Sequence, residues 1–195
     1  MRIAPDAFRQ SAWHVHRFLA DVPLHDVWEI RLHGGGPDRH LRDFRALLER
    51  SGVEQAGPAV RALFGLRRTV GALLGWDERP SGPELPAASY VRRLDEAERE
   101  RSLEPPGAPW GPFRLIYAFE NEALGEILNR TVHAFSFMGM APAPDGYRVH
   151  WAIYVKPVGR LTRPYMAVID PFRRWVVYPS IIRRVERTWS ETAWP

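Results

Sequence analysis

Strict alternation marks the clearest early element. In the stretch DVWEIRLH, Trp28, Ile30 and Leu32 fall on one side and Glu29, Arg31 and His33 on the other. A period of two is the signature of a strand with one buried face. Upstream, residues 5–20 set Phe8, Trp13 and Phe18 among polar neighbours and predict a short helix. Downstream, Gly34–Asp38 (GGGPD) reads as a turn. The period then lengthens. Leu41, Phe44, Leu47 and Leu48 recur at helical spacing, with Asp38 placed as N-cap and Gly52 as stop. A second helix is predicted from about Pro58, with the stripe Val60, Leu63, Phe64, Val70, Leu73 and Leu74, ending at Gly75.

Residues 77–112 differ in kind. Pro80, Pro83, Pro86, Pro105, Pro106, Pro109 and Pro112 punctuate them, and the charge run DEAERERS lies between. They read as a Pro-rich insertion, with a short strand around Tyr90, Val91 and Leu94. A connection this long is a cover over a site or a mobile insertion.

From Phe113 onward the chain predicts strands. FRLIYAFE places Phe113, Leu115, Tyr117 and Phe119 on one face, and EALGEILNR and TVHAFSFMGM follow. The turn PAPDG leads into YRVHWAIYVKP, whose Tyr147, Val149, Trp151, Ile153 and Val155 make one wholly apolar face. Loops this short require antiparallel pairing, so the expectation is one curved sheet with one dry face. Its cover is the segment from about Thr162 to Trp189, where Tyr165, Met166, Ile169, Phe172, Val176, Ile182, Val185 and Trp189 recur every three or four residues. Pro171 and Pro179 predict a kink or break. The fold class is therefore α+β: a curved antiparallel sheet wrapped on a long C-terminal helix, with two short helices after the first strand.

Composition narrows the function classes. The chain has 195 residues, 45% of them hydrophobic and 12% aromatic, which fits a single folded domain and excludes disorder over most of its length. No run approaches the roughly 18 apolar residues that span a bilayer. The opening MRIAPDAFRQSAWHVHRF does not read as a signal peptide, so a cytoplasmic location is the expectation. With no cysteine there is no disulfide, thiolate metal site or cysteine nucleophile. The formal charge is +4, but nearly all cations are arginines scattered among acids, with Lys156 the only lysine. A nucleic-acid binder gathers its charge into a stripe, so no nucleic-acid partner is expected. Arg183, Arg184 and Arg187 read as a solvated helix face.

Candidate chemistry is sparse. His14 and His16 lack a third ligand nearby and read as surface histidines, not a metal site. His133 shares parity with Phe135 and Phe137 and is placed to serve a cavity as base or donor. Glu120, Glu122 and Glu126 crowd one turn and read as solvated or paired to Arg130. Asp170 before Pro171 suits an N-cap at the helix break, and Arg173 suits either a salt bridge or an anionic ligand group. Gly34–Gly36 lacks the spacing of a phosphate-binding loop, and Ser11, Ser136 and Ser180 lack a nucleophile elbow.

The element order, with LFGLRRTVGALLGW (63–76), NRTVHAF (129–135) and GRLTRPYMAVIDPFRRWVVYPSIIRR (159–184), resembles the helix-grip fold of the START, polyketide-cyclase and birch-pollen-allergen-like proteins, the SRPBCC superfamily. The C-terminal half also resembles a bacterial domain-of-unknown-function family assigned there, whose members occur alone or fused to short-chain-dehydrogenase-like domains. The likeness covers residues 26–76 and 113–189 and carries over no catalytic residue. It implies an apolar cavity between sheet and C-terminal helix. Phe135, Phe137, Trp151, Phe172 and Trp175 are large enough to plug that space.

The expected function is binding of a small hydrophobic or amphipathic ligand, without cofactor or metal. Its lining is Tyr117, Phe119, His133, Phe135, Trp151, Ile153, Tyr165, Ile169 and Arg173. The alternatives are a cyclase- or dehydratase-like enzyme using His133 with a tyrosine or Glu126, and a ligand-free protein-interaction module. A pocket of about 300 Å³ favours binding, and a carboxylate within hydrogen-bond reach of His133 favours catalysis.

Overall fold

The computed structural model describes residues 1–51, 85–129, 132–159, 162–192 and 194, apart from the side chains at 51, 163–165, 168 and 169. The helix expected from Pro58 to Gly75 lies outside the described residues.

The strands are β1 (Leu24–His33), β2 (Pro109–Trp110), β3 (Phe113–Ala118), β4 (Glu122–Leu128), β5 (His133–Ala143) and β6 (Gly146–Lys156). They form a curved antiparallel sheet in the order β1-β6-β5-β4-β3-β2. The first strand thus pairs with the last, while the middle of the chain runs out to the far edge. The β5–β6 hairpin turns tightly at Gly146, where φ is +142° and a Cβ would lie 2.1 Å from the Leu32 carbonyl oxygen. Only glycine fits there.

Helices cover both faces. The inner face carries Trp28, Ile30, Leu32, Met138, Val149 and Ile153. It packs on Leu41, Phe44 and Leu47 of α3 (Leu41–Ser51) and on the C-terminal helix. That helix runs as α5 (Thr162–Phe172), a π-helical turn (Arg173–Val177) and α6 (Tyr178–Glu191). Pro171 and Pro179 were expected to kink or break it. Pro171 is followed by the wide π turn, one of the recognised ways a helix absorbs a local irregularity, and Pro179 sits in the first turn of α6.

The outer face was expected to be wet, and this is the main correction. Phe135, Phe137, Ala152 and Tyr154 on it are buried beneath an N-terminal and insertion layer. The layer comprises α1 (Pro5–Arg9), α2 (Val15–Phe18), a 3-10 turn (Tyr90–Arg93) and α4 (Glu96–Arg101), and contributes Phe8, Val15, Leu19, Tyr90, Val91 and Leu94 to the core. The described part of the Pro-rich insertion is therefore a cover. Its expected strand near Tyr90 is a 3-10 turn, and its charge run is a helix capped by an Asp95–Glu98 capping box.

Other expectations shift for local reasons. A register change between Leu115 and Tyr117 breaks the alternation of β3: Leu115 faces the inner core, while Ile116, Tyr117 and Phe119 face the outer one. Asp38 does not cap α3, which starts three residues later; it takes a left-handed φ of 58°. Phe172 and Trp175 plug nothing, being 46% and 80% exposed; Val177, Tyr178 and Ile181 take the core positions instead.

Candidate functional site

The expected ligand lining does not meet in one place. Trp151 and Ile153 belong to the inner face, with Arg173 on the helix above it. Tyr117, Phe119, His133 and Phe135 lie on the outer face, behind the sheet. The side chains of Tyr165 and Ile169 lie outside the described residues. The sequence grouped these residues because alternation shows which positions share a face within a strand, but not which face of one strand continues which face of the next.

On the outer face, β4 and β5 bring together what the sequence kept apart. Glu126 pairs across with Phe135, and His133 with Leu128, so both side chains rise toward the cover. His133 Nε2 lies 2.8 Å from Glu126 Oε2, and both residues are buried, at 2% and 3% exposure. The Tyr90 amide also donates to Glu126 Oε2, at 3.0 Å, and the Ser89 hydroxyl donates to Oε1. Ser89 in turn caps the 3-10 turn by accepting from the Val91 amide. Glu126 is thus an acceptor that fastens the Ser89–Tyr90 end of the insertion to the sheet, and the solvated carboxylate expected here is a buried one. The imidazole stacks on Phe135 at 4.4 Å and meets the Tyr90 ring edge-on at 5.3 Å. No described group bonds its Nδ1.

A pocket of about 340 Å³ opens beside this pair, lined by Ser89, Tyr90, Arg92, Arg93, His133 and Lys156 among others. Its polar wall is a chain of charge. Lys156 Nζ donates to the Tyr90 hydroxyl at 2.9 Å, and that hydroxyl donates to Asp21 at 2.9 Å. Arg93 makes a paired contact with Asp21 at 2.8 and 2.9 Å and lies over the Tyr90 ring. The Arg93 guanidinium holds the Asp21 carboxyl well below the usual carboxylate range. With Arg92, three cations line the pocket, and two carboxylates adjoin it: Asp21 beside Arg93 and Lys156, and Glu126 beside His133. Sequence reasoning missed Ser89, Tyr90, Arg92, Arg93 and Lys156. Only for Lys156 was a signal available, its shared parity with Tyr154 on β6; Ser89, Tyr90, Arg92 and Arg93 lie at a 3-10 turn that carries no strand parity.

Glu122, four residues before Glu126 on β4 and on the same face, is buried as well. It accepts the His14 amide at 3.0 and 3.2 Å, closing the start of α2 against the sheet. Burial pushes its carboxyl up to about 7, against the pull of that amide. His14 Nε2 is 3.0 Å from Glu98 of α4, and burial lowers its pKa. Glu120 alone of the three is exposed, 3.4 Å from His40. Among the described residues no group of three or more His, Asp or Glu side chains is arranged to hold a metal.

A second polar cluster lies on the inner face, where two irregularities meet. A register shift between Leu24 and Asp26 lets the adjacent His25 and Asp26 both reach the C-terminal helix at its π turn. His25 Nε2 is 2.7 Å from Asp170, Arg173 pairs with Asp170 at 3.0 Å, and Arg173 and Arg174 approach Asp26 at 3.6 and 3.8 Å. Asp170 therefore anchors ion pairs and does not cap a helix. Asp26 is 1% exposed, neither of its oxygens has a hydrogen-bond partner among the described residues, and burial raises its pKa against the nearby arginines.

Comparison with known proteins adds one match. The family model described as "Protein of unknown function (DUF2867)" aligns with residues 18–180. No curated protein and no solved structure matches the chain.

Proposed function

Since the chain belongs to the DUF2867 family, whose function is unknown, its role rests on its own geometry, and we propose that it binds a small anionic molecule in the outer-face pocket. The observation that carries this reading is the lining: about 340 Å³ of space, three cationic side chains at the rim and a buried imidazole on the wall. That volume falls at the small end of the range for ligand sites. Lys156 and the arginines supply the charge that a carboxylate or phosphate seeks, and His133 offers a nitrogen that Glu126 does not occupy.

The test is a titration of ¹⁵N-labelled protein with acetate and with inorganic phosphate, followed by amide chemical shifts. Saturable changes are expected at Ser89, Tyr90, His133 and Lys156. Lys156→Met should weaken binding roughly tenfold or more, the ordinary worth of a charge-assisted hydrogen bond. Changes centred on Trp151 and Ile153 would move the site to the inner face, and the absence of any saturable change would sink the reading.

One observation favours a second reading. His133 and Glu126 stand in hydrogen-bond contact at the pocket wall, the geometry of a base whose second nitrogen is fixed by a carboxylate. In that reading His133 exchanges a proton with the bound molecule through Nδ1. The pairing of β1 with β6 and the helix across the inner face support kinship with the helix-grip superfamily. Under that kinship an apolar ligand sits between sheet and helix, near Trp151, Ile153, Tyr165, Ile169 and Arg173.

A further inference from the structure

Around its π turn the C-terminal helix is apolar beyond the side that packs on the sheet. Val177, Tyr178, Ile181, Ile182 and Val185 belong to the core. Phe172 and Trp175 are 46% and 80% exposed, with Pro171 exposed beside them and Val176 and Pro179 half-buried. Of the five large apolar side chains exposed among the described residues, these are the two aromatic ones, and they stand three residues apart. A helix that is apolar all round is ordinarily buried all round.

Charge accompanies this patch. From Trp175, steps of four lead through Pro179 to the exposed Arg183 and Arg187, and end at Glu191. Arg183 Nε donates to the Pro179 carbonyl at 3.1 Å, which lays that side chain back along the row. Between Pro171 and Val185 there are four arginines and no acid. Arg173 and Arg174 are committed to Asp26 and Asp170 and are left out of the count. The acids on either side are engaged too, Asp170 with His25 and Arg173, and Glu186 with the Arg31 amide at 3.2 Å.

We infer that this face of the helix docks on an anionic lipid bilayer, with Phe172 and Trp175 entering the headgroup boundary and Arg183 and Arg187 meeting lipid phosphates. Aromatic rings and arginines along one helix are the pattern of helices that lie in that boundary. Trp175 protrudes: a rigid protein partner needs a matching cleft for it, whereas a bilayer surface deforms around it. A second copy would bring the same excess of arginine to both sides of an isologous contact. The surface is separate from the outer-face pocket, and neither reading depends on the other.

The experiment is co-sedimentation of the intact protein with vesicles of phosphatidylcholine alone and of an equal mixture with phosphatidylglycerol. Binding is expected to the mixed vesicles and not to phosphatidylcholine, and added salt should weaken it. Trp175→Ser should weaken it about tenfold. Arg183→Glu with Arg187→Glu should weaken it by about thirtyfold or more, since each cation near an anionic surface is worth about fivefold. All three positions are exposed, so urea unfolding should show both variants near wild-type stability. Lipids brominated in the acyl chain should quench wild-type tryptophan fluorescence more than that of Trp175→Ser. No binding to the mixed vesicles, or binding that Trp175→Ser leaves unchanged, overturns the proposal. Equal binding to both vesicle types overturns the charge match on which it rests. Concentration-dependent dimerisation that Trp175→Ser abolishes, without vesicle binding, gives the face to a second copy instead.

Discussion

Glu122→Gln isolates one buried carboxyl whose ionisation opposes folding. Its pKa in the folded chain stands near 7 against an ordinary 4.5, chiefly because burial penalises the charge. Between these two values the unfolded chain has released the proton and the folded chain still holds it. Unfolding free energy therefore falls as pH rises through this window, is fully retained below about 4.5, and is lost once the pH passes about 7. At 1.36 kcal/mol per pH unit the separation corresponds to about 3 kcal/mol. Glutamine keeps an acceptor for the His14 amide and cannot ionise. Urea unfolding followed by tryptophan fluorescence at several pH values from 4.5 to 8 gives the stability of both proteins. The lowered pKa values of His14, His16 and His150 give the opposite pH trend, but they are common to both chains and cancel in the difference. The stability of the glutamine variant relative to wild type should climb by about 3 kcal/mol between pH 4.5 and 8. A difference that stays constant, or that falls with pH, would show that the His14 amide holds the carboxylate charged and that burial does not dominate.

Two further substitutions test which side of each element carries the core. Phe137→Ala empties a fully buried position packed on Phe8 and Trp13, and should lower stability by about 3–5 kcal/mol in the same urea assay; a loss below about 1 kcal/mol would mean that the outer layer is not a packed core. Trp175→Ser removes a side chain that is 80% exposed and should change stability by less than about 0.5 kcal/mol; a loss of several kcal/mol would place Trp175 in the sheet–helix core.

Much of the fold was legible because local periodicity survives translation into structure. The alternation at Trp28, Ile30 and Leu32 and at Tyr147 to Val155 became inner-face strands, and the three-and-four spacing after Thr162 became the helix that covers them. Short loops between β3 and β6 fixed their antiparallel order. The site was hardly legible. His133 and Glu126 each stood out, but their contact depends on the pairing of β4 with β5, which places Glu126 opposite Phe135. The other half of the site, Ser89 to Arg93, sits in a segment whose local pattern is too short to declare its partner.

What the sequence determined by itself was the set of elements, because backbone geometry imposes periods of two and 3.6 on any chain that buries one side of itself. What only the tertiary structure decided was sidedness. A strand pattern of apolar and polar positions is compatible with a second cover, and here that cover buries Glu122, Glu126 and His133 among aromatics. The bulges at Leu115–Tyr117 and Leu24–Asp26 turn side chains over without any residue type that announces them. Burial of a charged group depends on the whole set of neighbours that displaces its water, and those neighbours are distant in sequence: His133 from Tyr90, Glu122 from His14, and Asp26 from Arg173.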